Sequence, residues 1–385
     1  MKLFIATETK VFFTPDQRLY TSNSFKKVLE RYHRAFGAIC LCTRIQKCDA
    51  ADLPPSYEDA TAFAKETLPI TSLKNAFLGK HKRAMRQAIR QCDLVVARVP
   101  SIVAYQAASI ARKERLPYLA EVVGCTWDSY WNYGFSSKWL AGPSYLWMRR
   151  TVAGADYATY VTERFLQKRY PCPRDSIACS NVIVNAGDET VLADRIEKIR
   201  RRDPQKLVLF TAAAIDVPYK GQEYVIRALP ELAAKGYRAQ YRLAGGGDAA
   251  RLRAIARQCG VEEQVVFLGA LSREDVMREM TQADIYIQPS LQEGLPRSVI
   301  EAMSRACPAL GARTAGIPEL LEEDHVFRRA DPRDIVRAVN GICRAGLESA
   351  ARRNFEKARE YDNAVLEQRR DAYYQRVIRE QEKDG

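Results

Sequence analysis

Two carboxylates, Glu293 and Glu301, lie eight positions apart, with Gly294 and Pro296 between them. The preceding residues 283–290 are rich in β-branched and aromatic side chains and predict a buried strand. A helical pattern follows, so we expect Glu293 in the loop after the strand and Glu301 about two turns along the next helix. Ligands of open α/β sheets bind at the carboxyl ends of strands, and a helix N-terminus attracts phosphate. The spacing therefore favours a sugar diphosphate, with Glu293 on sugar hydroxyls and Glu301 on a ribose.

The residues around this pair resemble a known family, the retaining GT-B glycosyltransferases of family 4, also called glycosyl transferases group 1. The resemblance rests on the Glu-x7-Glu pair and on three elements that follow it in order. They are Glu301-Ala302-Met303, Cys307-Pro308 and Gly316-Ile317-Pro318-Glu319. It implies that Glu293 orients hydroxyls of the donor sugar and that Glu301 holds the ribose.

Lys220-Gly221 matches the Lys-Gly of the same family, whose ammonium group contacts the donor diphosphate. The lysine is expected in a strand-to-helix loop, where its charge adds to the partial positive charge of a helix N-terminus. Because the leaving group is a nucleoside diphosphate, this field would lower the barrier directly. The resemblance thus implies Glu293 and Lys220 as the catalytic residues.

Further donor contacts are expected at glycine turns, at main-chain groups and at the start of the helix after Glu293. The residues are Gly245, Gly246, Leu268, Gly294, Leu295, Arg297 and Ser298. The chain lacks the arginine that the family usually carries five residues before the lysine. We expect Arg297 to supply the missing charge.

The sequence predicts neither a metal site nor a cofactor. No Asp-x-Asp motif occurs, which argues against the metal-dependent GT-A type, and Lys220 with backbone amides would replace the metal. The ten cysteines have no metal-ligand spacing and predict reduced thiols in a cytosolic protein.

The acceptor side is less well marked. Family 4 enzymes often place a histidine after a strand of the N-terminal domain, but the matching residues 121–128 contain none. Trp127, for stacking on a sugar ring, and Asp128, for its hydroxyls, become the candidates. All four tryptophans lie within residues 127–147 and alternate with cationic residues. This pattern suits either a membrane interface with a lipid-linked substrate or ordinary core packing.

Alternating strand and helix patterns predict an α/β protein with the GT-B layout, two Rossmann-like doubly wound domains facing each other across a cleft. We place the N-terminal acceptor domain at residues 1–185, a charged linker at 186–205 and the C-terminal donor domain at 206–362. A last helix, at 363–380, is expected to cross back onto the N-terminal domain, with Val365, Leu366, Ala372, Tyr373 and Val377 as its packing residues.

The formal net charge of +13 over 385 residues lies mostly in residues 1–190, which hold 27 Lys+Arg against 17 Asp+Glu. A basic half of this kind faces anionic lipid, a phosphorylated acceptor or nucleic acid, or serves solubility. No RNA-binding aromatic motif or zinc module occurs, so nucleic acid is not expected as a partner.

We therefore expect a cytoplasmic retaining glycosyltransferase, peripheral on the inner face of the plasma membrane. It would move a sugar from a UDP-sugar or another nucleotide-diphosphate sugar to a lipid-linked glycan of bacterial surface polysaccharide synthesis. A sugar-nucleotide epimerase or phosphorylase on the same fold, or a non-enzymatic basic surface-binding protein, are the alternatives.

Overall fold

The chain folds into two α/β units, one on a nine-stranded sheet and the other on a six-stranded sheet. The computed structural model describes residues 1–54, 57–70, 72–133 and 137–384. The strands are β1 (Lys2–Phe13), β2 (Leu19–Ser22), β3 (Ala38–Lys47), β4 (Tyr57–Asp59), β5 (Glu66–Ile70), β6 (Leu94–Val99), β7 (Tyr118–Val122), β8 (Tyr157–Tyr160), β9 (Asp175–Ala178), β10 (Lys206–Ala212), β11 (Arg238–Ala244), β12 (Val265–Gly269), β13 (Ile285–Gln288), β14 (Ala309–Ala312) and β15 (Val326–Phe327). The helices are α1 (Asn23–Phe36), α2 (Leu73–Phe77), α3 (Lys82–Ile89), α4 (Ile102–Glu114), α5 (Thr126–Tyr133), α6 (Lys138–Ala153), α7 (Phe165–Arg169), α8 (Glu189–Arg201), α9 (Gln222–Ala234), α10 (Ala250–Gln258), α11 (Arg273–Gln282), α12 (Arg297–Ser304), α13 (Ile317–Leu320), α14 (Pro332–Ala345), α15 (Leu347–Arg359) and α16 (Asn363–Asp384).

In the N-terminal sheet, β1 pairs in parallel with β3 on one side and with β6 on the other. The parallel strands run in the order β5-β3-β1-β6-β7-β8-β9, so the winding direction reverses between β1 and β6. The far end of β1 pairs antiparallel with β2, beyond an irregularity between Ala6 and Lys10. Ligand sites of such sheets lie at the carboxyl ends of the strands beside the reversal.

The C-terminal sheet is parallel throughout, in the order β12-β11-β10-β13-β14-β15. Its winding reverses between β10 and β13. Apolar clusters cover both faces of each sheet, which is why the central strands are continuous apolar runs. The expected α/β class with two doubly wound domains is confirmed.

Helix start signals in the sequence correspond to caps in the structure. The Ser272 hydroxyl accepts a hydrogen bond from the amide of Asp275 at the start of α11. The Asp331 carboxylate accepts hydrogen bonds from the amides of Arg333 and Asp334 at the start of α14. These bonds satisfy amides that the first helical turn leaves without partners.

The segment expected as a linker contains helix α8, which packs against the C-terminal domain through α15. Its Arg195 is buried and donates hydrogen bonds to the carbonyls of Met280 and Ala283 at 2.8 and 2.6 Å. A guanidinium can donate hydrogen bonds to several carbonyl groups at once, so a highly charged segment can still pack against the domain with a buried arginine.

The last helix, α16, bridges the two domains. Leu366 packs into the C-terminal domain cluster that contains Tyr286, whereas Tyr373, Tyr374 and Val377 pack against the N-terminal domain cluster that contains Leu3. The predicted return of the chain is therefore seen. Two expected packing residues, Val365 and Ala372, are exposed instead, and Tyr374 takes the inward position beside Tyr373.

Among the described residues, no helix has the length and apolar character needed to cross a membrane.

Candidate functional site

The loops after β10 and β13, which flank the winding reversal of the C-terminal sheet, bring Lys220 and Glu293 together. The Lys220 Nζ lies 2.8 Å from the Glu293 Oε1, and 22% and 12% of the two side chains are exposed. Partial burial weakens solvent screening, so this ion pair is stronger than one on the open surface. The pair places one cation and one carboxylate where a doubly wound domain binds its ligand.

Gln288, the last residue of β13, holds this pair in position, and sequence reasoning missed it. Its side-chain nitrogen donates to the Glu293 Oε1 at 3.0 Å and to the Ser290 hydroxyl at 2.8 Å. Its side-chain oxygen accepts from the hydroxyls of Tyr286, at 2.6 Å, and Ser298, at 3.1 Å. All four hydrogen-bonding positions of the amide are filled, so the orientation of the Glu293 carboxylate is coupled to the start of α12.

Two glycines permit main-chain approaches that a side chain would block. Gly221, beside Lys220, has a φ of +74°, and a Cβ there would lie 2.1 Å from the carbonyl oxygen of Pro289. A Cβ on Gly294 would lie 2.5 Å from the carbonyl oxygen of Val123, at the carboxyl end of β7 in the other domain. Gly294 is therefore where the Glu293 loop touches the N-terminal domain.

The predicted glycine turn after β11 lies beside the same sheet edge. The Gly245 amide donates to the carbonyl of Gly269 at 2.8 Å, next to Leu268 at the end of β12. The Gly246 carbonyl accepts from the amide of Ile215, in the loop that follows β10. These residues border the site on the side opposite Glu293.

Glu301 lies on α12, about one turn after Ser298 on the same face of the helix, and is half-buried. Burial raises the pKa of its carboxyl above the ordinary value, while Arg297 and Arg273 act in the opposite direction. This carboxylate accepts no hydrogen bond from a described residue. Arg297, at the first position of α12, is exposed and makes no ion pair with a described residue. Leu295 is buried under this turn.

Glu319 links the two domains. Its carboxylate accepts hydrogen bonds from the amides of Glu163, Arg164 and Phe165 at 2.6, 3.1 and 2.6 Å. These amides lie at the start of α7 in the N-terminal domain, where free N–H groups attract a negative charge. The sequence placed Glu319 in a motif, but nothing in it indicated this partner.

The two acceptor candidates lie on α5, which borders the cleft. Asp128 is buried, and its carboxylate pairs with Arg169 at 3.1 Å. Trp127 stacks on Trp131 at 5.4 Å between ring centroids and packs against the N-terminal core. In the same helix, Asn132 donates to the carbonyl of Leu291 in the other domain at 3.3 Å.

A cavity of about 350 Å³ lies between the carboxyl ends of the N-terminal strands and the Glu293 loop. It is lined by Thr9, Ser22, Ser24, Phe25, Val28, Arg98, Val123, Val161, Ser180, Asn181, Leu295 and Arg297. A larger hollow of about 1160 Å³ lies at the opposite edge of the N-terminal sheet and is lined by residues of the N-terminal domain and of the end of α16. The smaller cavity, which both domains line, is therefore the one that belongs to the candidate site.

In the described ranges, no three His, Cys, Asp or Glu side chains are grouped so that they could hold a metal ion.

Residues 193–360, which contain Lys220, Glu293 and Glu301, match the family described as Glycosyl transferases group 1. The chain carries a group 1 glycosyltransferase domain. Similarity to Protein CapJ of Staphylococcus aureus extends further, at 27% identity over 341 residues, 86% of this chain and 83% of CapJ. The putative colanic acid biosynthesis glycosyltransferase WcaL of Escherichia coli K12 is 31% identical over 160 residues, 40% of this chain and 38% of WcaL. This domain is thus related to a putative glycosyltransferase of bacterial polysaccharide biosynthesis.

Solved structures share its two-domain architecture at low sequence identity. Sucrose-phosphate synthase from Thermosynechococcus elongatus superposes with a TM-score of 0.70 at 14% identity, covering 98% of this chain and 99% of that one. Anabaena HepE in complex with UDP-glucose superposes with a TM-score of 0.63 at 15% identity, covering 98% of this chain and 100% of HepE. The GT-B fold expected from the sequence is confirmed.

Proposed function

We propose that the protein is a retaining glycosyltransferase that moves a sugar from a nucleotide-diphosphate sugar, preferentially a UDP-sugar, to a hydroxyl of a lipid-linked glycan in bacterial surface polysaccharide synthesis. The observation that carries the proposal is the Lys220–Glu293 pair at the winding reversal of the donor domain. HepE was solved with UDP-glucose, which supports a UDP-sugar as the donor. The relation to WcaL supports the polysaccharide pathway.

In this mechanism the donor diphosphate displaces Glu293 from Lys220. The ammonium group then stabilises the charge that develops on the leaving diphosphate, and the freed carboxylate orients hydroxyls of the donor sugar. The acceptor oxygen forms its bond to the anomeric carbon as the bond from that carbon to the β-phosphate oxygen breaks. The acceptor proton passes to a leaving phosphate oxygen on the same face, which retains the configuration.

Positive charge at the diphosphate would come from the protein rather than from a metal. Lys220 and the amides at the start of α12 supply part of it. Arg297 is exposed at the first position of that helix and supplies the charge of the arginine missing before Lys220. If Arg297→Ala left donor affinity and turnover unchanged, this compensation would be wrong.

The first experiment measures the thermal stability of the purified chain with UDP, GDP or ADP, each with and without a divalent ion. A ligand that binds only the native state raises the melting temperature, by an amount set by its concentration and affinity. We expect UDP alone to raise it, without a divalent ion. A shift only with GDP would reassign the donor, and a requirement for the ion would contradict metal independence.

Glu293→Ala then tests the site itself. We expect transfer to be lost while the protein still folds, with a lowered melting temperature, because Glu293 is only 12% exposed and its removal leaves Lys220 without its carboxylate partner. Glu263→Ala, which removes an exposed carboxylate of the same domain, is the control and should keep full activity. Donor conversion without any acceptor would favour the epimerase or phosphorylase alternative.

We further propose that the N-terminal domain docks on an anionic bilayer through an apolar surface made by Phe77 and Leu78, at the end of α2, and by Trp139, Leu140 and Leu146 on α6. Each of these side chains is more than half exposed, and Trp139 is 81% exposed. Helices α2 and α6 both pack on α4, which places them on one side of the sheet. The surface extends the aromatic segment predicted from sequence by adding Phe77 and Leu78.

Charge identifies the occupant of this surface. Residues 67–92 and 129–155 carry nine Lys and Arg and no Asp or Glu. Exposed tryptophan and leucine beside these cationic stretches of the chain suit the headgroup region of an anionic membrane, whereas a protein partner would need its own acidic groups there.

Vesicle co-sedimentation tests the docking. We expect binding to vesicles containing phosphatidylglycerol at low salt, weak binding to pure phosphatidylcholine, and at least a fivefold loss for the double variant Trp139→Ser, Leu140→Ser. Val365→Ser, which removes an exposed apolar residue on α16 outside the surface, is the matched control. Equal binding by both variants would remove the proposal.

A further inference from the structure

Arg98 is the most informative residue in the cavity between the domains. It lies near the end of β6, beside the winding reversal of the N-terminal sheet. Its guanidinium lies over the ring of Phe25, 5.5 Å from the centroid, and its Nε is 3.2 Å from a carboxylate oxygen of Glu121. That contact is misaligned for a hydrogen bond, so the buried Nε has no hydrogen-bonding partner. The guanidinium makes no hydrogen bond to any described residue.

The Glu121 carboxylate is already satisfied by other groups. It accepts from the Asn181 amide at 2.8 Å and from the Tyr32 hydroxyl at 3.3 Å. Arg98 is therefore held in place by charge and by a ring, and it lines the cavity. Its buried Nε has no hydrogen-bonding partner, which costs free energy unless a ligand satisfies it.

Helix α1 begins at the same cavity. Its N-cap residue, Ser22, makes no capping hydrogen bond, and its first turn contains no acidic residue. The Ser22 and Ser24 side chains both line the cavity. A fourteen-residue helix presents partial positive charge and free amides at this end.

Arg297 enters from the other domain. It lines the cavity opposite Arg98 and has no described ion-pair partner. Two guanidiniums, that of Arg98 paired with Glu121, and a helix N-terminus thus surround one cavity, and no carboxylate is among the residues that line it. The volume of about 350 Å³ lies at the lower end of the range for small-molecule sites.

We propose that this cavity is the acceptor subsite and that it selects an acceptor carrying an anionic group, a carboxylate or phosphate, which Arg98 and the start of α1 bind. The inference rests on the proposed glycosyltransferase function and specifies its acceptor class. A guanidinium can donate two parallel hydrogen bonds to either a carboxylate or a phosphate, so the geometry of the cavity suits both groups.

The test is calorimetric titration of the full chain, saturated with UDP, by three probes. They are glucuronate, glucose 1-phosphate and neutral glucose. We expect at least one anionic probe to bind tenfold or more tightly than glucose, and the stronger of the two identifies the group as carboxylate or phosphate. Arg98→Gln should weaken that probe at least tenfold, about 1.4 kcal/mol, without changing the UDP affinity.

Two variants separate recognition from folding. Arg90→Gln removes an exposed arginine of the same domain, ion-paired with Glu114, and should leave all three affinities unchanged. Arg98→Lys keeps the charge that faces Glu121 but loses the fork, so the protein should fold and still bind the anion more weakly than the wild type.

Three results would overturn the proposal. The anions bind no better than glucose, or Arg98→Gln behaves like Arg90→Gln, or UDP excludes the anion, which would assign the cavity to the donor diphosphate. Failure of the donor assignment is recognised separately, because UDP itself would then produce no thermal shift.

Discussion

Replacing Gln288 by leucine tests whether the hydrogen-bond network under the site stabilises the donor domain. Leucine is close to glutamine in size, so the change removes the amide without opening a large cavity. Tyr286 and Ser290 are fully buried, and their hydroxyls would each lose the partner described above. Stranding a buried hydroxyl costs about 1–3 kcal/mol, so two predict a loss of about 2–6 kcal/mol.

The measurement is the melting temperature followed by circular dichroism, with urea unfolding as a second probe. For a domain of 150–250 residues, each kcal/mol lowers the midpoint by about 2–4 °C, so we expect a fall of at least about 4 °C. The control is Gln240→Leu, which places the same substitution at an exposed position of β11. If Gln288→Leu lowers the midpoint no more than Gln240→Leu does, the network does not stabilise the domain.

Three further predictions concern the cleft. Gly294→Ala should lower kcat/KM at least tenfold in steady-state assays, because the new methyl group would lie 2.5 Å from the Val123 carbonyl oxygen. Gly341→Ala in α14, where the added methyl group meets open space, is the control and should leave kcat/KM unchanged. Glu301 has a raised pKa, so UDP binding that needs its ionised carboxylate should weaken as the pH falls towards that pKa. The stability of the free protein should rise over the same pH range, because protonation of this partly buried group favours the native state. Calorimetry of the wild type and Glu301→Gln between pH 5 and 7.5 measures the difference, and parallel curves would contradict the assignment to ribose. Glu319→Ala removes three charge-assisted hydrogen bonds between the domains, so the radius of gyration measured by small-angle scattering without UDP should increase. An unchanged radius of gyration would show that other contacts hold the cleft closed.

The sequence located the strand before Glu293 well. The buried strand predicted within residues 283–290 is β13, which spans Ile285–Gln288 in the structure. It is an apolar run that ends at turn residues, and parallel strands buried on both faces have this pattern. Because the end of this strand was placed correctly, the loop that carries Glu293 was too.

Helix α1 was missed although its signal was present. Phe25, Val28, Leu29, Tyr32 and Phe36 recur at helical spacing and are all buried. Its start at Ser22, without a capping hydrogen bond, gave no conventional boundary. The cavity lined by this helix was therefore beyond the sequence analysis.

Contacts between distant segments could not be read from local patterns. Glu319 binds amides about 155 positions earlier in the chain, and Gln288 looked like the polar end of a strand. Asp128 was expected to face sugar hydroxyls, and only the fold shows that Arg169 occupies its carboxylate. Such pairings depend on how the two domains meet, which no spacing encodes.

The bridging helix α16 also has a consequence for biosynthesis. Tyr373, Tyr374 and Val377 fill the N-terminal core, yet they follow the whole donor domain in the chain. The nascent N-terminal domain must therefore wait, with one apolar wall uncovered, while the whole donor domain is translated and begins to fold. Long-lived exposure of this kind is where nascent chains aggregate or recruit chaperones. The domain that is made first is the last to be completed.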